Sequence, residues 1–188
     1  MEGIVAPDAI TANGFAGLDG IKPLADVANE EGKGVFVWVR GSNPSAGVLQ
    51  DFADAHGKRF FEVLAEQVAT LACEPQRIGQ CGLSNVGMVV GGTAAEQARI
   101  LREQYPHIIF LVPGFGAQGA DAADCLQFAK SDGSGVLVSA SRSIINAYDN
   151  SRYKEQFGAD WEKCIEQACL DMKAALAAVM RGQKPLIR

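Results

Sequence analysis

The stretch Pro113-Gly114-Phe115-Gly116-Ala117-Gln118-Gly119 carries the residue types from which a phosphate site is built. Glycine lets a backbone come close to a ligand and turn its N–H groups inward, which suits a phosphate oxygen. Gln118 adds a neutral amide donor. Farther along, Arg142 sits in Ser139-Ala140-Ser141-Arg142-Ser143-Ile144, where a guanidinium can hold a phosphate through two parallel hydrogen bonds. Upstream, Arg40-Gly41-Ser42-Asn43-Pro44 offers a hydroxyl and an amide able to read the polar edge of a ring. Each feature also has a plainer reading. The glycine loop can be a tight strand-to-helix turn, Arg142 a surface arginine paired with a carboxylate, and Ser42-Asn43 an ST- or Asx-type turn before Pro44. Gly91-Gly92-Thr93 reads as turn chemistry, with Thr93 as N-cap and Glu96 completing a capping box.

These groups share a position: each follows a short apolar run. The runs are Ala9 to Ala12, Gly34 to Val39, Val86 to Val90, Ile108 to Val112 and Gly135 to Val138. They alternate with helical patterns, which predicts βα units and a parallel sheet. The central three are apolar throughout, which predicts strands covered on both faces. Apolar spacing predicts helices over 20–31, 60–72, 93–105 and 121–130. A long helix over 160–180, with Trp161, Ile165, Ala168, Leu176 and Val179 as its apolar stripe, is expected to cover the domain. Residues 1–188 are expected to form a single domain. Parallel α/β folds bind ligands beyond the carboxyl ends of their strands, and barrels place phosphate at the last two. Here those two ends carry the glycine loop and Arg142. The helix after residue 121 is further expected to aim its N-terminus at an anion.

Several function classes are set aside by composition. A formal net charge of −5 argues against nucleic acid or an anionic membrane as a partner. No apolar run approaches the ~20 residues that span a bilayer, and Met1-Glu2-Gly3-Ile4-Val5 has no secretion-signal character. Five cysteines, odd in number and without a CxxC pair, read as reduced thiols of a cytoplasmic protein. His56 and His107 are not at ligand spacing from any of them, so no metal site is expected. Gly114-x-Gly116-x-x-Gly119 matches the dinucleotide fingerprint. However, the next strand ends in Ser139-Ala140-Ser141-Arg142 with no acidic residue for a ribose. A Rossmann-type reductase holding NADP through Arg142 stays open as an alternative, as does a non-catalytic nucleotide-phosphate-binding remnant.

Taken in order, Ser42-Asn43-Pro44, Val89-Val90-Gly91-Gly92-Thr93, the 111–119 segment (LVPGFGAQG) and Ser141-Arg142-Ser143-Ile144 resemble the orotidine 5′-monophosphate decarboxylase family, in particular its longer bacterial type. Asp8 to Phe15 resembles the family's fourth-strand segment, and the final helix with Trp161 resembles that type's C-terminal extension. The resemblance implies part of a (β/α)8 TIM barrel, strands four to eight plus a C-terminal helical extension. It also implies a homodimer and decarboxylation of orotidine monophosphate to UMP, a small-molecule nucleotide reaction without metal or organic cofactor. Gln118 and Arg142 would hold the 5′-phosphate, with the backbone of Gly116 and Ser141 nearby, and Ser42, with Asn43 beside it, would contact the pyrimidine. Gly92 departs from the family's usual Ala, and Gly14-Phe15 from the usual Pro-Tyr. The family's first-strand Asp, second-strand Lys and D-x-K-x-x-D segment have no counterpart here; Asp171-Met172-Lys173 lacks the second Asp. No catalytic residue is therefore assigned. The expectation is a partial sequence or truncated product that neither decarboxylates nor folds as a monomer by itself.

Overall fold

The computed structural model describes residues 6–182; Met1–Val5 and residues 183–188 lie outside the described residues. One parallel sheet holds β1 (Ala9–Asn13), β2 (Gly34–Arg40), β3 (Val86–Val90), β4 (Phe110–Pro113) and β5 (Val136–Ser139), paired in that order. The helices are α1 (Gly17–Glu30), α2 (Ala46–Gln50), α3 (Phe60–Ala72), α4 (Ala95–Gln104), α5 (Ala122–Leu126), α6 (Arg142–Ile145), α7 (Ser151–Phe157) and α8 (Trp161–Met180). The architecture is α/β, consistent with part of a (β/α)8 barrel. A doubly wound sheet reverses its strand order at a switch point. The unbroken sequential order here rules out the Rossmann arrangement.

Alternation along β2 explains where the core lies. Val35, Val37 and Val39 are buried with Met88, Val90, Phe110 and Val112, against Ile21 and Ala25 of α1 and Phe61, Leu64 and Val68 of α3. Burying one such side chain contributes roughly 1.5–3 kcal/mol relative to leaving it in water. The other face behaves differently: Trp38 is 52% exposed and Leu137 51%. The expectation that all three central strands are covered on both faces therefore holds only for β3, which is buried at every residue. Apolar character alone does not report whether a neighbour is present to cover it.

Helix starts are set by short-range chemistry. At α3, the Glu62 carboxylate accepts the Arg59 backbone N–H at 2.8 Å and its guanidinium at 2.7 Å. At α5, Asp121 and Asp124 exchange hydrogen bonds, each carboxylate accepting the other's backbone N–H. At α8, Asp160 accepts from Lys163 N–H. Two expectations fail here. Thr93 does not cap α4, because a 3-10 turn over Gly92–Ala94 comes first and its hydroxyl donates instead to the Ser42 carbonyl. Trp161 is 55% exposed, so α8 packs through Cys164, Ala168 and Ala175.

Arg102, buried in α4, ties the lower ends of β4 and β5 together. Its Nε donates to the Phe128 carbonyl at 2.8 Å, Nη1 to Tyr105 and Pro106 at 3.2 Å, and Nη2 to Ile108 and Gly135 at 2.8 Å. The guanidinium lies 4.6 Å from the centre of the Phe110 ring. Burial pulls it down to about 10, so it stays charged at neutral pH. These contacts fix the entry to the two strands whose far ends carry Gln118 and Arg142.

Candidate functional site

Three strand ends meet beyond the carboxyl edge of the sheet. Gly114, Gly116 and Gly119 of the loop after β4 all have positive φ (111°, 71° and 95°), a region that other residues rarely enter. The turn reading of these glycines is thus correct as far as geometry goes. The fold it produces is internal: Gly116 N–H donates to the Ala120 carbonyl at 2.9 Å and Gly119 N–H to the Gly116 carbonyl at 2.9 Å. The Gly116 N–H, expected near a phosphate, is already engaged within the loop.

The loop folds back so that Gln118 meets Ser42. The Ser42 hydroxyl donates to Gln118 Oε1 at 2.6 Å, joining residues 76 apart in sequence. Proximity here depends on Gly91 at the end of β3. A Cβ on Gly91 would lie 2.6 Å from Ser42 Cα and 2.7 Å from Ser42 N, so any side chain would displace the Ser42 backbone. Gly91 has φ −62°, an ordinary value. Its role is close approach, and the expectation of pure turn chemistry for Gly91-Gly92-Thr93 is corrected. With the Thr93 hydroxyl on the Ser42 carbonyl, the turn that follows β3 holds Ser42 from two sides.

The rest of the β2 loop is braced by Arg40. Its Nε and Nη2 grip both oxygens of Asp51 at 3.1 and 2.7 Å, and this pairing holds the Asp51 carboxyl below the usual carboxylate range. Gly41 N–H donates to Gln50 Oε1 at 2.8 Å. Asn43 is exposed and spends its amide locally, donating to Ser45 Oγ at 2.9 Å. The structure thus brings Ser42 into the cluster and leaves Asn43 in a turn at its margin.

On the other flank, β5 runs into α6. Ser141 and Arg142 are exposed, and the Arg142 side chain has no hydrogen-bond or ion-pair partner among the described residues. A surface arginine with a carboxylate partner was the plain reading, and no such partner is found among them. Ser143, which sequence reasoning passed over, links the two loops: its hydroxyl donates to the Phe115 carbonyl at 3.3 Å, and a Cβ on Gly116 would come within 3.1 Å of Ser143 Cβ. The glycine that permits this approach was the one available signal.

One expected feature is overturned. The N-terminus of α5 is poorly suited to an anion, because the carboxylates of Asp121 and Asp124 already sit there, accepting the Asp124 and Asp121 backbone N–H groups respectively. Two negative charges there repel a phosphate where free N–H groups would attract it. Among the described residues no group of three or more His, Cys, Asp or Glu side chains is placed to hold a metal ion, and no helix is long and apolar enough to cross a membrane. The arrangement as a whole offers neutral polar groups from two loops, an exposed arginine on the segment that Ser143 joins to the glycine loop, and an exposed apolar side chain, Trp38, on β2. It is suited to a ligand with an anionic end and a flat polar end.

The model of the orotidine 5′-phosphate decarboxylase / HUMPS family matches residues 5–157. An orotidine 5′-phosphate decarboxylase of Caldicellulosiruptor bescii is 40% identical over 173 residues, 92% of this chain and 54% of the relative. One from Rhodopirellula baltica is 36% identical over 170 residues, covering 90% and 55%. A crystal structure from Toxoplasma gondii, assigned as an orotidine-monophosphate decarboxylase, superposes with a TM-score of 0.72 at 29% identity, covering 93% of this chain and 59% of that one. The chain therefore spans little more than half the length of the curated relatives it matches. On its sequence and its fold alike, the chain belongs to the orotidine 5′-phosphate decarboxylase / HUMPS family.

Proposed function

We propose that this protein serves the decarboxylation of orotidine 5′-monophosphate to UMP and CO2, with this chain supplying the loops that hold the two ends of the nucleotide. In this reading Gln118 and Arg142 bind the 5′-phosphate, the backbone at Gly116 and Ser141 lies beside it, and Ser42 meets the pyrimidine, with Asn43 at the rim. Residues 1–188 act as one domain of a cytoplasmic homodimeric enzyme that uses no organic cofactor. The observation that carries the reading is the Ser42–Gln118 hydrogen bond, which draws the β2 loop onto the glycine loop, itself joined by Ser143 to the segment that carries Arg142. Decarboxylation leaves an electron pair on the pyrimidine carbon that must take up one proton. No residue of this chain is assigned to deliver it. What these residues contribute is binding energy, which helps the reaction only as far as it positions the reacting carbon.

The test is calorimetric titration of UMP, uridine and inorganic phosphate into residues 1–188. UMP should bind more tightly than uridine, and Arg142→Ala should cost about 1.5–3 kcal/mol of UMP affinity, the range for a charge-assisted contact. Uridine affinity should barely move. Equal losses for UMP and uridine would overturn the assignment of Arg142.

A further inference from the structure

The segment that presents Arg142 is poorly equipped to hold itself in place. α6 has four residues, a 3-10 turn over Ala147–Asp149 has three, and α7 has seven. Isolated helices shorter than about 12 residues are marginal in water, so their geometry must come from what they pack against. That support is α8. Ala147 and Tyr153 are buried in a small separate core with Cys164 and Ala168 of α8, with Ile144, Phe157 and Ile165 packed around it. The core is distinct from the one under the sheet.

One polar group joins the pieces. The Asp171 carboxylate on α8 accepts the Tyr153 hydroxyl at 3.0 Å and the Arg152 guanidinium at 2.9 Å, both on Oδ2, and the Gln167 amide at 2.8 Å on Oδ1. Its side chain is only 16% exposed, and burial, followed by the Asp171 carboxylate itself, pushes the Tyr153 phenol up so that it remains a donor. Between this network and the glycine loop lies a cavity of about 400 Å³, lined by Gly116, Ser143, Arg152, Tyr153 and Asp171 among others. The loop does not rest directly on α8 there. α8 instead supports the segment that carries Arg142, packing directly on α6 and the 147–149 turn and, through Asp171, on α7.

From this geometry we infer that Asp171 is a positioning residue for the anion site: by clamping α7 to α8 it secures the 142–157 segment, which packs as a unit on α8, and with it the placement of Arg142 and Ser143. The inference rests on the phosphate role proposed above for Arg142. It also gives the terminal helix, which lies beyond residues 5–157 of the family match, a part in building the site.

The experiment measures UMP and uridine affinity for residues 1–188 carrying Asp171→Asn, Tyr153→Phe, Arg142→Ala, and Asp171→Asn with Arg142→Ala. Hydrogen exchange across residues 141–157 is followed in parallel without ligand. Asp171→Asn should weaken UMP by about threefold to tenfold, the scale of an indirect coupling, leave uridine unchanged and speed exchange across α6 and α7. Tyr153→Phe, which removes one hydroxyl, should move in the same direction by less and serves if Asp171→Asn fails to fold. In the Arg142→Ala background, Asp171→Asn should add less than about a twofold loss, because coupled residues are not additive. The inference is overturned if Asp171→Asn weakens uridine as much as UMP, leaves UMP affinity intact, or loses as much again without Arg142. If Arg142→Ala itself leaves the UMP-to-uridine ratio unaltered, the phosphate reading fails first and the positioning role falls with it.

Discussion

Replacing Arg102 by Met keeps much of the side-chain length and removes every donor. Of the five carbonyls it serves, Gly135 keeps a bond from Phe110 N–H and Tyr105 one from Ile108 N–H. Pro106 is exposed, and its carbonyl can turn to water. The carbonyls of Phe128 and Ile108 are different: both residues are fully buried, and each loses a bond of 2.8 Å with no replacement among the described residues. An unsatisfied buried acceptor costs about 1–3 kcal/mol, and losing the contact with the Phe110 ring removes about another 0.5–1 kcal/mol. Against this stands the relief of not burying a charge, the same effect that pulls the guanidinium down to about 10. We expect a net loss of about 3 kcal/mol, a large share of a typical total of about 5–15. In urea unfolding followed by far-UV circular dichroism, a slope of about 2 kcal/mol per molar turns this into a midpoint about 1.5 M lower. Arg102→Lys should fall between, because an ammonium has three donors and cannot reproduce the fork. A midpoint shift under about 0.3 M at unchanged slope would refute the reasoning, since it would mean that Phe128 and Ile108 find other partners.

Ser42→Ala and Gln118→Ala should be coupled: in a double-mutant cycle read by UMP affinity, the interaction should be about 0.5–1.5 kcal/mol, and additive losses would show that the bond is not made in solution. Gly91→Ala should destabilise by more than about 2 kcal/mol, because its Cβ meets the Ser42 backbone. Gly92→Ala should cost less, since it presses on side chains, those of Ala120, Cys125 and Val112 at 2.9, 3.0 and 3.4 Å, and not on backbone; thermal melts giving the reverse order would contradict the packing described. Arg40 lowers the Asp51 carboxyl below its ordinary 3.8, so the pair's stabilisation is complete above about pH 4 and is lost as pH falls through the lower folded value. The stability gap between the parent and Arg40→Met should therefore narrow below pH 4, and a gap that is constant from pH 6 to pH 3 would discount the pair.

Much of the scaffold was legible because apolar runs and helical spacing are local signals. β3 and α3 lie where the pattern put them, Val86–Val90 and Phe60–Ala72. Departures occur where a tertiary contact outweighs local preference. β4 begins at Phe110, not Ile108, because the Ile108 carbonyl turns to Arg102. α5 stops at Leu126, short of Lys130; beyond it Phe128 is fully buried and Lys130 to Ser134 closes a turn. For the site, loop composition named Gln118, Arg142 and Ser42, but no local pattern could show that Ser42 and Gln118 touch across 76 residues. Nor could it show that Gly91 is there to let them. The expectation of an anion-attracting helix end fails because Asp121 and Asp124 look like solvated acids until the chain folds each carboxylate onto the other's backbone N–H.

The order of the strands in space is their order in the sequence, and this has a consequence for how the molecule assembles. Each βα unit docks on the one made just before it, so no later strand must be threaded between earlier ones and the entropy of closing long loops is largely avoided. As the chain leaves the ribosome, β1 and β2 can pair while β4 is still untranslated, and growth is vectorial. The same linearity grades the finished sheet. β3, buried at every residue and paired on both sides, opens only when the whole unfolds, whereas β1 and β5, each paired on one side among the described residues, can fray alone. Ser42 and Gln118 sit on the loops that leave the two strands flanking β3, so the pair is tied to the best-protected part of the sheet, while Arg142 rides on its looser margin.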